Sequence, residues 1–149
     1  MGRTGDTAAL ADAVDRLSMW LRRQVPTAVS SSTITTLDSL EVHGPLRISD
    51  LAEREAVSQP GMTSLVNRLE AAGQAERICD PTDGRAALVR ITEAGRALLA
   101  QRHAARALVL ERELERLDES DRVALVAAVP AIARLITKTK TAGREGVTS

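Results

Sequence analysis

Hydrophobic side chains recur every three or four residues in long segments at both ends of the chain, which is the spacing of an amphipathic helix. This pattern predicts a helix over residues 8–25 that Pro26 stops, and a long helix over residues 93–117. A last helix is predicted from Asp118, and Pro130 inside it is expected to kink it.

In the segment between these long helices, apolar residues show the same helical spacing over shorter stretches. A helix capped by Ser32 or Thr33 comes first and ends near the Gly-Pro pair at residues 44–45. A short helix capped by Ser49 follows, and a third helix begins at a cap at Ser58 and ends at Gly73. Two helices joined by a tight turn are typical of a helix-turn-helix.

A β-hairpin is predicted directly after the third of these helices. Residues 75–79 and 86–91 form its two strands. The Asp83-Gly84 pair marks the turn, where the glycine is expected to supply a positive φ. Arg85 then lies at the tip of a short projecting arm, a position suited to a narrow minor groove. The combination predicts a winged helix-turn-helix.

The helix that begins at Ser58 separates apolar from polar side chains. Met62, Leu65, Val66 and Leu69 fall three or four residues apart and are expected to face inward. Hydroxyls, amides and a guanidinium remain outside, and these groups can read base edges and phosphates in a major groove. With the flanking helix and the wing, the predicted DNA-binding residues are Ser49, Ser58, Gln59, Pro60, Gly61, Thr63, Ser64, Asn67, Arg68, Arg77, Asp83, Gly84 and Arg85.

Residues 48–99 resemble the core of the MarR family of bacterial transcription regulators. The matching residues are Leu51-Ala52, Val57-Ser58-Gln59-Pro60, residues 65–70, Gly73, Arg77, residues 80–85 and the run Ile91-Thr92-Glu93-Ala94-Gly95. The wing motif followed by Thr92-Glu93-Ala94-Gly95 is the most specific part of the match. The resemblance implies a homodimer that binds double-stranded DNA at a pseudo-palindromic operator. A small ligand often releases such proteins from DNA.

The predicted fold is mainly α (α+β), with about six helices and a small two- to three-stranded wing sheet. At 149 residues the chain is long enough for one domain, residues 1–149, with its winged helix-turn-helix part at residues 33–92. The helices at residues 6–25 and 93–140 carry apolar stripes that one winged unit cannot cover. We therefore expect these terminal helices to pair two copies around a two-fold axis.

Composition narrows the classes of function. The chain lacks a nucleophile–base pair, a phosphate-binding glycine loop and a metal-ligand cluster in its sequence, so no catalytic site, metal or cofactor is predicted. It also lacks an apolar run long enough for a bilayer, which predicts a cytoplasmic protein without a membrane partner. Cys79 falls on a wing strand rather than in the first helix, where peroxide sensors of the resembling family carry their thiol, so it is interpreted as a packing residue.

The charge balance of the chain is compatible with two functions. Acidic and basic residues balance at 20 each, and residues 46–92 carry six Arg against seven acidic residues. This segment therefore lacks the broad basic field of many DNA-binding domains. The favoured function is a ligand-released, operator-binding repressor. The alternative is a helical dimeric interaction protein of the same fold that has lost operator binding.

A small aromatic or anionic effector is the second expected partner. In proteins that resemble this chain, ligands often bind between the dimerisation helices and the winged unit. Trp20 and Arg23 on the first helix, with Asp38 and His43 on the second, are the candidate pocket residues. The alternative for Trp20 is a place in the core or an interface, and for Arg23 it is a solvated charge.

Overall fold

The computed structural model describes residues 3–25 and 28–142. Its elements in chain order are α1 (Arg3–Gln24), α2 (Ser31–His43), α3 (Ile48–Arg54), α4 (Gln59–Ala71), β1 (Ala75–Cys79), β2 (Ala87–Ile91), α5 (Glu93–Leu114) and α6 (Glu119–Ala142). The chain divides into two compact units, residues 1–107 and 108–149. The mainly helical α+β fold predicted from the sequence is confirmed.

Several helix ends differ from those predicted. The side chain of Ser30, rather than that of Ser32 or Thr33, caps α2 by accepting a hydrogen bond from the backbone N–H of Thr33 at 3.2 Å. Arg47, rather than Ser49, is the N-cap of α3, and its side chain makes no capping bond because it reaches an aspartate of the wing instead.

The predicted stop at Pro26 lies outside the described residues. At the other end of the chain, α6 continues through Pro130.

The turn between α3 and α4 is closed by backbone hydrogen bonds. The N–H of Val57 donates to Ala52 O at 3.0 Å and the N–H of Ala56 to Glu53 O at 3.2 Å, the pattern of a Schellman motif. Ala56 takes a φ of +52°, a left-handed conformation that usually favours glycine. The helix-turn-helix angle is therefore set by a tight turn rather than a flexible loop.

A single hydrophobic core holds the winged part together. The inner face of α4 lies at its centre, and Met62, Val66 and Leu69 are no more than 1% exposed. Leu65 lies on the same face of α4. The remaining buried hydrophobic side chains come from α2, α3, both strands and the first two turns of α5, namely Leu37, Leu40, Leu51, Ala52, Ala75, Val89, Ile91 and Leu99. Fully burying one such aliphatic side chain stabilises the fold by about 1.5–3 kcal/mol.

The wing is an antiparallel pair in which Ala75 faces Ile91 and Cys79 faces Ala87. Leu46 adds an isolated bridge to Val89, so the sheet has two strands and one further single-residue pairing. The prediction that Gly84 takes a positive φ is wrong. The loop between the strands is longer than a two-residue hairpin, and a hydrogen bond from Ala86 N–H to Asp83 O closes it without a left-handed residue.

The chain between the wing and α5 passes very close to the end of α4. Thr92 Oγ1 donates to Gly73 O at 2.6 Å, and Thr92 N–H donates to Gln74 O at 3.1 Å. Gly95 lies against the same backbone: a Cβ at this position would be 2.3 Å from Gln74 O and 2.7 Å from Ile91 Cγ1. The Thr-x-x-Gly spacing at residues 92–95 therefore fixes α5 against the winged part.

Substitution Gly95→Ala should destabilise the fold, because the new methyl group would overlap a backbone oxygen that cannot move freely. We expect a loss of about 1–3 kcal/mol in the free energy of unfolding, measured by urea denaturation. Gly84→Ala is the matched control, since a Cβ there would meet nothing within 4 Å. Equal stability of the two variants would contradict this account of the α4–α5 junction.

Apolar side chains remain exposed on the long helices. On α1 they are Leu10, Val14, Leu17 and Met19, each 46–57% exposed. On α6 they are Val123, Leu125, Val126, Val129, Ile132, Leu135 and Ile136, each 51–63% exposed. Even so, no helix in the described parts of the chain is both long enough and apolar enough to cross a membrane.

Candidate nucleic-acid interface

The outer face and amino end of α4 present small polar groups to solvent. Ser58 Oγ accepts the backbone N–H of Gly61 at 3.2 Å and caps the helix. Gln59 and Ser64 are exposed, whereas the hydroxyl of Thr63 donates to Gln59 O within the helix. Pro60 has no N–H and that of Gly61 is used by the cap, so the backbone N–H of Gln59 and the helix dipole are what favour a phosphate at this end.

Asn67 and Arg77, both predicted to contact DNA, contact each other. Arg77 Nη2 donates to Asn67 Oδ1 at 2.9 Å, and the same guanidinium pairs with Glu70. The backbone N–H of Arg77 also donates to Glu70 Oε1 at 3.0 Å. Arg77, on the first wing strand, therefore holds the side-chain oxygen of Asn67 on α4. The amide nitrogen of Asn67 remains available as a donor.

The root of the wing is anchored to the start of α3. Arg47 donates to Asp80 Oδ2 from Nη2 at 2.6 Å and from Nε at 3.2 Å. Asp80 Oδ1 accepts the backbone N–H of Thr82 at 2.9 Å and its hydroxyl at 2.7 Å. Hydrogen bonds from Thr82 and from Arg47 hold the pKa of Asp80 well below its ordinary value. The hydrogen bond to Asp80 and the negative charge of that carboxylate raise the pKa of Arg47.

Asp83 shapes the tip of the wing through a hydrogen bond from the backbone. Its Oδ1 accepts the backbone N–H of Arg85 at 3.2 Å, and its Oδ2 lies 3.8 Å from Arg47 Nη2. Gly84 beside it is exposed. The guanidinium of Arg85 is thus left without an internal carboxylate partner among the described residues.

The guanidiniums of two of the six arginines in residues 46–92 have no polar partner in the described structure. Arg47, Arg77 and Arg90 pair with Asp80, Glu70 and Glu76. Arg54 contacts the ring of His43 at 3.2 Å. Arg68 on the outer face of α4 and Arg85 at the wing tip remain, and both are exposed. The two free cations therefore lie on the helix and the wing that the sequence assigned to DNA.

Ser49 and Pro60 complete the predicted DNA-binding set, and both are exposed at the amino ends of their helices. The structure places the predicted residues on α3, α4 and the wing. Their contacts with DNA stay a prediction.

Substitution Asp80→Asn should weaken the anchor between the wing and α3 and lower the urea midpoint at pH 7. Because the folded pKa of Asp80 lies below its unfolded value of about 3.9, the stabilising effect of its charge is present above about pH 4. It is lost as the pH falls further. The difference from the unsubstituted protein should therefore shrink between pH 7 and pH 3.

Asp38→Asn, which changes an exposed carboxylate on α2, is the control and should leave the midpoint unchanged at both pH values. An Asp80→Asn protein with an unchanged midpoint at pH 7 would show that the anchor contributes nothing to stability.

A cleft of about 290 Å³ lies between α1, α2 and the middle of α5. Its charged lining consists of three guanidinium side chains, Arg22, Arg102 and Arg106. Two aliphatic and three hydroxyl side chains complete it: Leu21, Ile34, Ser18, Ser31 and Thr35. Burial lowers the pKa of Arg102, and the positive charges of Arg106 and Arg22 lower it further by smaller amounts.

None of the four predicted effector residues lines this cleft. Trp20 is half-buried and Arg23 is exposed on α1, and Asp38 is exposed on α2. His43 lies at the other end of α2, against Arg54. Sequence reasoning selected the aromatic residue and its neighbouring cation and passed over Arg22, Arg102 and Arg106. Arg102 and Arg106 could have been recognised from the sequence as unpaired cations, because neither has a carboxylate three or four residues away on α5.

A profile of the MarR family matches residues 29–87, the segment that holds α2, α3, α4 and most of the wing. An HTH-type transcriptional regulator of Mycobacterium bovis is 35% identical over 128 residues, which is 85% of this chain and 90% of that relative. The HTH-type transcriptional repressor NicR of Pseudomonas putida is 32% identical over 98 residues, 66% of this chain and 62% of the repressor.

Solved structures give the same result. A transcriptional regulator of Pseudomonas aeruginosa is 30% identical with a TM-score of 0.76, over 91% of this chain and 97% of that chain. BpsR of Bordetella bronchiseptica, whose DNA binding is regulated by 6-hydroxynicotinic acid, is 22% identical with a TM-score of 0.55, over 89% and 94% of the two chains. The protein is therefore a transcriptional regulator rather than an enzyme, and it belongs to the MarR family of winged helix-turn-helix proteins.

Proposed function

We propose that this regulator binds a pseudo-palindromic operator as a homodimer, represses the adjacent promoter by occluding it, and leaves the DNA when a small effector binds. The observation that carries the proposal is the pair of free guanidiniums, Arg68 on α4 and Arg85 on the wing. A protein with these two surfaces would place α4 in the major groove and the wing tip in the adjacent minor groove. Such a repressor would act in the cytoplasm.

The dimeric state is supported by the apolar stripes of α1 and α6. A monomer with so many exposed aliphatic side chains would tend to aggregate. A second copy could cover both stripes around a two-fold axis, with residues 6–25 and 93–140 as the dimerisation helices. Two α4 helices about 34–36 Å apart would then match one turn of DNA.

Substitution Ile132→Asp tests this interface. In a dimer it would place an unpaired charge between apolar side chains, and we expect the mass from light scattering to fall from twice the chain mass of 15.9 kDa to the monomer value. Arg134→Ser on the same helix is the control and should keep the dimer. An unsubstituted protein that scatters as a monomer would contradict the proposal.

The small net charge of the winged part limits how DNA can be held. Residues 46–92 carry one more acidic than basic residue, so affinity would depend on a few placed cations, the helix amino ends and two copies acting together. The same charge balance favours the second candidate function, a dimeric interaction protein that no longer binds an operator. The two differ in whether removing Arg68 or Arg85 changes a DNA affinity.

Arg85→Ala and Arg68→Ala should each weaken operator binding at least about tenfold, because each removes a cation from both halves of the dimer. The duplex would be obtained by selection from random sequence, and affinity measured by fluorescence anisotropy at several salt concentrations. Losing two copies of Arg85 should reduce the slope of log K against log salt by about two.

Arg90→Ala is the matched control, because Arg90 also lies on the wing but is already paired with Glu76. We expect its affinity to stay within about twofold of the unsubstituted protein. If selection enriched no sequence, the interaction-protein function would be favoured. If a sequence were enriched but neither variant lost affinity, the assignment of these two arginines would be wrong.

The effector would act by changing the separation of the two α4 helices, so that both no longer fit one operator. The cleft between α1, α2 and α5 supports this, because it lies between α1, a proposed dimerisation helix, and α2, the first helix of the winged part. In BpsR, which shares the fold, 6-hydroxynicotinic acid regulates DNA binding. An anionic effector in this cleft is therefore part of the proposal.

A further inference from the structure

The three arginines of the cleft lack the ion pairs that several other arginines on the same long helices make. Arg16 on α1 pairs with Asp12, Arg96 on α5 with Glu41, and Arg122 on α6 with Glu119. Arg22, Arg102 and Arg106 have no carboxylate partner among the residues that the structure describes. Arg102 and Arg106 are also one helical turn apart, a like-charge spacing that destabilises a helix.

Other parts of the cleft also favour negative charge. The first turn of α2 borders it at Ser31. The N–H of Thr33 is used by the Ser30 cap, and those of Ser31 and Ser32 have no carbonyl partner within the helix. The amino end of α2 therefore adds a partial positive charge to the same space. The hydroxyls of Ser18 and Ser31 provide further donors. No carboxylate lines the cleft, so nothing in it opposes the binding of an anion.

The lining does not suit an aromatic ring. Trp20 is the one aromatic residue of the chain, and it is not part of the lining. The apolar contribution is limited to Leu21 and Ile34. Ring-binding pockets are lined mainly by hydrophobic and aromatic side chains, whereas guanidinium forks suit phosphate oxygens through paired hydrogen bonds.

We infer that the cleft binds an effector through a doubly charged phosphate group, held by Arg22, Arg102 and Arg106 with the amino end of α2. Three guanidiniums around one small space suit a dianion better than a monocarboxylate, which would leave more of the positive charge unbalanced. This assignment rests on the effector-released repressor proposed above and adds the chemical class of the effector.

Phenyl phosphate and benzoate separate the two anion classes, because they share the ring and differ in the charged group. Both would be titrated into the full-length protein by calorimetry at pH 7.5 and constant ionic strength, where the phosphate ester is largely a dianion. We expect phenyl phosphate to bind at least about tenfold more tightly than benzoate. Equal binding, or tighter binding of benzoate, would overturn the inference.

Arg102→Gln and Arg106→Gln should each weaken phenyl phosphate binding at least about tenfold. Neither is expected to unfold the protein, because each relieves a like-charge contact, and circular dichroism would check this. Arg23→Gln is the matched control: Arg23 neighbours Arg22 on α1 but does not line the cleft, and its affinity should change less than about twofold. An effect of Arg23→Gln as large as that of Arg102→Gln would overturn the inference.

Operator binding, measured separately, keeps this inference distinct from the proposed function. Phosphate binding that depends on Arg102, in a protein that selects no DNA sequence, would support the anion site and contradict the repressor. Operator binding without a preference for phenyl phosphate would leave the repressor standing and overturn the phosphate site. If both hold, saturating phenyl phosphate should lower the operator affinity of the unsubstituted protein and leave that of Arg102→Gln nearly unchanged.

Discussion

Burial of one face of α4 is the constraint on which the rest of the winged part depends. Met62, Leu65, Val66 and Leu69 must leave water together, and this fixes the rotation of the helix about its own axis. Asn67 and Arg68 are then directed outward by geometry alone, whatever their own interactions. The turn at Ala56 and the close approach at Gly95 hold the neighbouring helices against the buried face. The surface proposed to bind DNA is thus a consequence of how the core is filled.

At the proposed DNA surface and at the cleft, positive charge comes from a few unpaired arginines and not from the net charge of the chain. Three of the six guanidiniums in residues 46–92 pair with carboxylates, and two of these pairs, those of Arg47 and Arg77, position the wing and Asn67. Arg68 and Arg85 are the exceptions on the proposed DNA side, and Arg22, Arg102 and Arg106 are the exceptions at the cleft. What distinguishes the cleft is that three unpaired arginines line one small space, a feature that the balance of 20 acidic and 20 basic residues does not reveal.

Sequence reasoning predicted the elements well because each depends on local patterns. The apolar spacing over residues 62–69 and the cap at Ser58 gave α4, and the Asp-Gly pair gave the wing. The predictions that were wrong also have physical causes. Ser49 is a good capping residue, but Arg47 takes the N-cap position while its side chain binds Asp80 on the wing. The cleft was missed because Arg22 is far in sequence from Arg102 and Arg106, and only packing brings the three together.

Recognition of a DNA sequence by paired copies of α4 and the wing can be measured on the unsubstituted protein. It would be titrated against a selected duplex and a scrambled duplex of the same length and base composition, at two salt concentrations. We expect tighter binding to the selected duplex at both salt concentrations, two chains per duplex, and affinity that falls steeply with salt. Equal affinity for the two duplexes, or one chain per duplex, would contradict this expectation.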